Sequence, residues 1–252
     1  MAMVPADFDC QNGWHLFYSP VLYGNDGNST MQRSAPAQHT LSFDPDCSRC
    51  SRLADFLGEV RGDYPDYHAR PVPAFGDDQP RLLIVGLAPG MHGANRTGRP
   101  FTGDYAGSLL YQTLHRYGFA SGPESIHRDD GLQLSGCRIT NAVKCLPPEN
   151  KPETSEIKIC NSYLNNEFKV LNKDVIVLAL GQIAHKAVLM ALGCKQADYP
   201  FGHGKAHRLP DGRTLYDSYH CSRYNTQTKR LTTEMFEAVF ERICSQLGVC
   251  RS

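Results

Sequence analysis

Four residues of this 252-residue chain have types and positions that suit chemistry: Phe101 and Asp104 in a Gly/Pro-rich loop, Asn141 in one strand-like run, and His220 at the end of another. In open α/β sheets, ligands collect outside the carboxyl ends of the strands, so the three polar residues are expected to converge there. An aromatic ring, a carboxylate and cations beside a strand end suit a planar, polar ligand. Each residue also has a plainer use. Asp104 can cap the following helix, Asn141 can satisfy a backbone group, His220 can be structural, and Phe101 can be core.

The second constellation is built from cysteine. The chain has ten. A disulfide scaffold is usually shorter and secreted, so metal ligation is the better explanation for some of them. Cys47-Ser-Arg-Cys50 is one C-x-x-C pair, and Cys145 and Cys160 form the plausible second. Four thiolates make a closed set suited to zinc or an iron–sulfur cluster, and the spacing does not separate the two. Cys10, Cys137, Cys194, Cys221, Cys244 and Cys250 read as small buried hydrophobes.

Alternating strands and helices must position these groups. Residues 82–86 (LLIVG) form an apolar, β-branched run that breaks at Gly86, as a buried parallel strand does. Further strands are expected over 137–143, 174–180 and 214–220, with helices over 107–117, 154–171 and 182–192 and a closing helix through Met235, Val239 and Ile243. A short helical pattern through Leu53, Leu57 and Val60 follows the C-x-x-C pair. Prolines forbid a helix in the extended stretch over 64–80. Such alternation implies a parallel sheet covered on both faces. Residues 1–40 have no sustained period and read as a loosely structured arm, leaving 41–252 as a single domain.

Composition narrows the class. Hydrophobic residues make up 41% and charged residues 21%, with a formal net charge of zero. No apolar run is long enough to span a membrane and no basic leader precedes one, which reads as a cytoplasmic protein. Neutral charge means that any nucleic-acid reading rests on local Lys and Arg clusters. The run LIVGLAPG resembles a phosphate loop only superficially, since neither G-x-G-x-x-G nor the Walker lysine pattern is present.

Several long motifs, in order, carry a more specific likeness. GLAPGMHGANRTGRPFTGD (86–104), RITNAVKCLPPENKP (138–152), LALGQIAHKAVL (178–189) and FGHGKAHRLPDGRTLYDSYHCSRYNTQTKRLT (201–232) resemble the uracil-DNA glycosylase superfamily, and within it the iron–sulfur type-B enzymes (family 5). ARPVPAFGD (69–77) and the four cysteines match as well. The resemblance implies a three-layer α/β/α sandwich with a central four-stranded parallel sheet and a [4Fe–4S] cluster on Cys47, Cys50, Cys145 and Cys160. It implies a monomeric enzyme that hydrolyses the N-glycosidic bond of uracil in DNA, with tolerance of other deaminated bases such as hypoxanthine. The chain departs from the family at Cys221, where the usual pattern has Pro, which puts the shape of the DNA-wedging loop in question.

The same resemblance distributes roles. A base in duplex DNA must be flipped out to be read. Phe101 would stack on it, Asn141 would match its edge, and backbone groups of Gly86, Leu87 and Ala88 would line the pocket. His220 would stabilise the negative charge developing on the ring, by the logic of an oxyanion hole. Asp104 would handle the attacking water, because Leu87 stands where some relatives carry a polar residue. Arg96, Arg99, Lys205, Arg208, Arg223, Lys229 and Arg230 form the candidate phosphate-contacting cations. Ser222 and Asn225 are neutral phosphate partners, and Arg223 or Tyr224 would enter the gap left by the base. The rival reading is a non-catalytic iron–sulfur or zinc domain that binds nucleic acid; it gives no reason for Phe101, Asp104, Asn141 and His220 to occur together.

Overall fold

The computed structural model describes residues 43–249. The expected N-terminal arm, with Trp14, Phe17 and Tyr18, lies outside them, as do Cys10 and Cys250. Six strands form one sheet in the order β1-β3-β2-β4-β6-β5. The middle four are β3 (Cys137–Asn141), β2 (Leu82–Gly86), β4 (Ile176–Leu180) and β6 (Thr214–Ser218), each parallel to its neighbour. The sheet therefore has six strands where four were expected. The extra two, β1 (Phe75–Gly76) and β5 (Ala206–Arg208), are short antiparallel edges. One is built from the Pro-punctuated stretch and the other from a segment that reads as charged loop.

Side chains alternate between the faces of each strand, and the two faces carry separate cores. Leu82, Ile84, Ile139, Leu178 and Tyr216 pack with α3 (Tyr105–Arg116) and α7 (Thr233–Leu247). Leu83, Val85, Val177, Ala179 and Leu215 pack with α4 (Thr154–Val170) and α5 (Gln182–Ala191). This makes three layers. All five residues of β2, β3, β4 and β6 are buried; β2 and β4 accordingly read as continuous apolar runs, while β3 and β6 also bury polar side chains, among them Arg138, Thr140, Asn141, Asp217 and Ser218. Two short helices, α2 (Ala94–Thr97) and α6 (Arg223–Gln227), sit in the loops after β2 and β6.

A third, smaller core joins α1 (Ser51–Asp63) to the loop after β3 and to α4 through Leu53, Leu57, Val60, Val143, Leu146 and Tyr163. Arg52 of α1 reinforces that junction by pairing both ways with the buried Glu156 carboxylate, at 2.8 Å to each oxygen. Glu156 also closes the capping box that starts α4. No helix among the described residues is long and apolar enough to cross a membrane.

Candidate active site and cysteine centre

The loop after β2 is shaped by close approaches that only glycine permits. A Cβ on Gly86 would lie 2.4 Å from Asn141 Oδ1 and 2.7 Å from the Phe101 ring, so the bare strand end lets both side chains lean over it. A Cβ on Gly93 would lie 2.3 Å from Asp104 Oδ2, and one on Gly107 would lie 1.9 Å from the Phe101 carbonyl oxygen. Phe101 itself has a positive φ of 53°, unfavourable for a bulky residue. The buried Tyr111 hydroxyl donates to the Pro100 carbonyl at 2.9 Å and ties this turn to α3. Gly93, Gly107 and Tyr111 hold the site loop in place, and none stood out in the sequence.

Phe101 is not exposed on the loop. Its ring is buried at 6% exposure and belongs to the core beneath the sheet end. It lies beside Gly86 on one side and stacks with the His220 imidazole on another, centroids 5.8 Å apart and planes 27° apart. Asn141, the last residue of β3, is 3% exposed. Asn141 Oδ1 and His220 Nδ1 are both buried without a hydrogen-bond partner. Burial alone pushes the His220 imidazole down to about 4, so it is neutral at pH 7.

Asp104 caps α3, with Oδ1 accepting from the Gly107 amide at 2.9 Å. Burial raises its carboxyl above the ordinary value, against the opposing hydrogen bonds from Gly107 and Ala106. Its second oxygen faces Gly90 and Gly93 rather than the capped amide. The cap therefore leaves one oxygen for other work. Its charge also reaches the buried Cys221, next to His220, where burial drives the thiol far up.

The cationic set divides. Arg96, Lys205, Arg223, Lys229 and Arg230 are exposed, and Tyr224, at 70%, is the most exposed large apolar side chain among the described residues. Arg223 lies over the Tyr105 ring and Arg230 over Tyr219. Arg99 is a correction. Its side chain is buried and pairs with Asp130, while it also donates to Thr102, Ser125 and the carbonyls of His127 and Arg128. A guanidinium so enclosed braces the loop and has no face for phosphate. Ser222 caps α6 through the Asn225 amide, and Asn225 Nδ2 donates to the His220 carbonyl at 2.8 Å. Both therefore position the histidine turn as well as facing outward.

Cys47, Cys50, Cys145 and Cys160 line one cavity with Arg49, Leu53, Lys144 and Tyr163. They arrive from the turn before α1, the loop after β3, and α4. Burial would raise the Cys47 thiol, but hydrogen bonds from Tyr163 and Arg49 outweigh it and bring it below the ordinary value. The Lys144 amide donates to Cys160 Sγ at 3.3 Å. Burial, reinforced by the other three cysteines, pushes Cys145 up to about 12. Four packed thiols cannot all ionise without a cationic centre among them, so this donor set fits a four-cysteine metal group. Among the described residues, the one trio of His, Cys, Asp or Glu ligand atoms lying within 4.8 Å of one another is His185, His207 and Asp217. No three of the four sulfurs approach that closely.

A mostly parallel sheet with a buried amide and imidazole at its carboxyl edge, and a four-cysteine centre beside it, defines a family. The model of the uracil DNA glycosylase superfamily matches residues 73–244, and the chain belongs to that superfamily. Its relatives narrow the position within it. The chain is 49% identical to a type-5 uracil-DNA glycosylase of Thermus thermophilus, over 75% of this chain and 89% of that protein. It is 44% identical to the type-5 enzyme of Mycobacterium leprae over 81% and 92% of the two chains. For the type-5 enzyme of Pyrobaculum aerophilum the figures are 41% identity over 80% and 89%.

Proposed function

We propose that the protein removes uracil, and other deaminated bases such as hypoxanthine, from DNA after flipping the base into the β2–β3–β6 strand-end pocket. It is a hydrolase, a monofunctional uracil-DNA glycosylase. The observation that carries the pocket reading is the pair of buried, unpartnered polar atoms, Asn141 Oδ1 and His220 Nδ1, grouped around the Phe101 ring. Leaving a buried polar group unsatisfied costs roughly 1–3 kcal/mol. A planar ring with its own donors and acceptors, stacked on Phe101 over Gly86, would recover that cost.

In this reading Asn141 reads the base edge, and the backbone of Gly86, Leu87 and Ala88 lines the pocket. Cleavage sends electrons into the departing base. The neutral His220 ring, in a site that strengthens electrostatics, holds a hydrogen bond to the charge that develops there. The free oxygen of Asp104 orients or deprotonates the attacking water and faces the cationic sugar. Exposed Arg96, Lys205 and Arg223 hold phosphates, Ser222 and Asn225 assist as neutral partners, and Tyr224 fills the gap left in the stack. Residues 41–252 act as one catalytic domain and a monomer, with cytoplasmic DNA as the substrate.

The four cysteines hold a [4Fe–4S] cluster in this proposal. Four sulfurs around a single zinc, at about 2.3 Å each, would stand about 3.8 Å apart, and the wider sulfur spacing here supports the larger group. Bound there, it supplies a cross-link among α1, the loop after β3 and α4. The activity test incubates the protein with uracil- and hypoxanthine-containing duplexes and then cleaves abasic sites with alkali. Strand cleavage is expected for both, and its absence with uracil would refute the enzyme reading. Brown colour with broad visible absorption, lost in Cys145→Ser, is the test of the cluster.

A further inference from the structure

We propose that His185, His207 and Asp217 form a second metal site, of the zinc type, separate from the cysteine centre and from the strand-end pocket. The three come from α5, β5 and β6, and their ligand atoms lie within 4.8 Å of one another. Asp217 is fully buried and His185 nearly so, while His207 is half-buried.

The hydrogen bonds force a question of charge. His185 Nε2 lies 2.8 Å from the Tyr199 carbonyl oxygen, which can only accept, so Nε2 carries the hydrogen. In the neutral ring that leaves a lone pair on Nδ1, facing Asp217 Oδ1 at 2.7 Å. A lone pair and a carboxylate oxygen cannot face each other at that distance, so a proton lies between them; a zinc bonded to both at about 2.0–2.1 Å would take its place with the two atoms opened to roughly 3.3 Å. The other carboxylate oxygen, Oδ2, meets His207 Nε2 at 3.2 Å and the Gly202 amide at 3.2 Å. Two imidazoles converge on the two oxygens of one carboxylate, which is a borderline-soft N/O donor set suited to zinc. The carbonyl behind His185 is the outer partner that metal-bound histidines ordinarily have; it fixes which nitrogen faces the metal. Phe201 and Tyr199 pack against the two imidazoles and shield the trio.

Zinc binding here would displace the proton held between His185 Nδ1 and Oδ1 to solvent, and the hydrogen that His207 Nε2 directs at Oδ2 would pass to its Nδ1 by a change of tautomer, leaving His185 Nδ1, His207 Nε2 and the carboxylate as ligands. It would pin β5 and the turn before it, which carries Lys205, onto β6 and α5. The proposal stands independently of the glycosylase reading.

The test uses zinc ion alone as the probe. Iron-loaded protein is equilibrated with micromolar zinc and gel-filtered, and both metals are then measured beside a thermal denaturation. Wild type is expected to retain about one zinc per chain without loss of iron and to melt higher than without zinc, with no such response to magnesium. His207→Asn and His185→Phe are each expected to weaken zinc binding at least about tenfold while keeping their iron, which also reports that they fold. If wild type takes up no zinc beyond what displaces iron, the trio is held by a proton and the proposal is overturned. Zinc uptake unchanged in both variants overturns it as well.

Discussion

Asp104 does two things at once, and the Asp104→Asn and Asp104→Ala pair separates them. The cap needs only an acceptor 2.9 Å from the Gly107 amide, and an asparagine oxygen supplies one. Burial already raises the Asp104 carboxyl, so its charged form is disfavoured in the folded protein and removing the charge does not cost stability. Asp104→Asn is therefore expected to melt at or slightly above the wild-type temperature. Asp104→Ala loses the cap, about 1 kcal/mol, which for a domain of this size lowers Tm by roughly 2–4 °C. Activity should follow a different order. If the free oxygen handles water, both variants lose roughly 10²–10⁴-fold in the single-turnover rate of uracil release, and asparagine rescues stability without rescuing rate. The assay is alkaline cleavage of a uracil duplex with enzyme in excess, beside thermal denaturation of the same samples. An Asp104→Asn enzyme as fast as wild type would refute the chemical role and leave Asp104 as a helix cap.

Three further outcomes follow from the same geometry. In an ordinary helix Gly→Ala gains close to 1 kcal/mol, but Gly107→Ala drives a methyl to 1.9 Å from the Phe101 carbonyl; we expect a loss of roughly 1–3 kcal/mol in urea denaturation and a slower enzyme, and a stabilised variant would contradict the packing. His220 has its imidazole pushed down to about 4 by burial, so the unfolded chain takes up a proton below about pH 6.5 where the folded one does not. Its contribution to stability is therefore present above that pH and is lost as pH falls towards 4, by no more than about 3 kcal/mol; His220→Phe should flatten the slope between pH 7 and 4.5, and an unchanged slope would place the titration elsewhere. Arg99→Met should destabilise by about 3 kcal/mol by stranding Asp130 without changing the salt dependence of DNA binding, whereas Lys205→Ala should leave Tm alone and reduce the log–log salt slope by about 1; binding measured from low to moderate salt distinguishes them.

What could be read from the chain in advance was whatever depends on local pattern. The runs in β2 and β4 are apolar because both faces of the sheet are covered; β3 and β6 are as fully buried but carry polar residues such as Arg138, Asn141 and Asp217 among their apolar ones. β1 and β5 escaped because a two- or three-residue edge has no period to detect, and both occur where proline or charge argues for loop. The differences within the site are differences of long-range partner. Arg96 and Arg99 sit three residues apart in the same loop, yet one is exposed and the other is enclosed by Asp130, 31 residues further on. Phe101 reads as a loop residue available for stacking, but with a positive φ and with Gly86 and Gly107 making room for its ring and carbonyl it turns inward against His220. The trio of His185, His207 and Asp217 was least legible, because each sits in a different element with an ordinary local pattern. Only the register of β5 on β6, which sets His207 opposite Leu215, brings the two histidines to one carboxylate. Chemistry that depends on a lone pair facing a carboxylate is set by tertiary contact, and no spacing rule along one strand or helix could have signalled it.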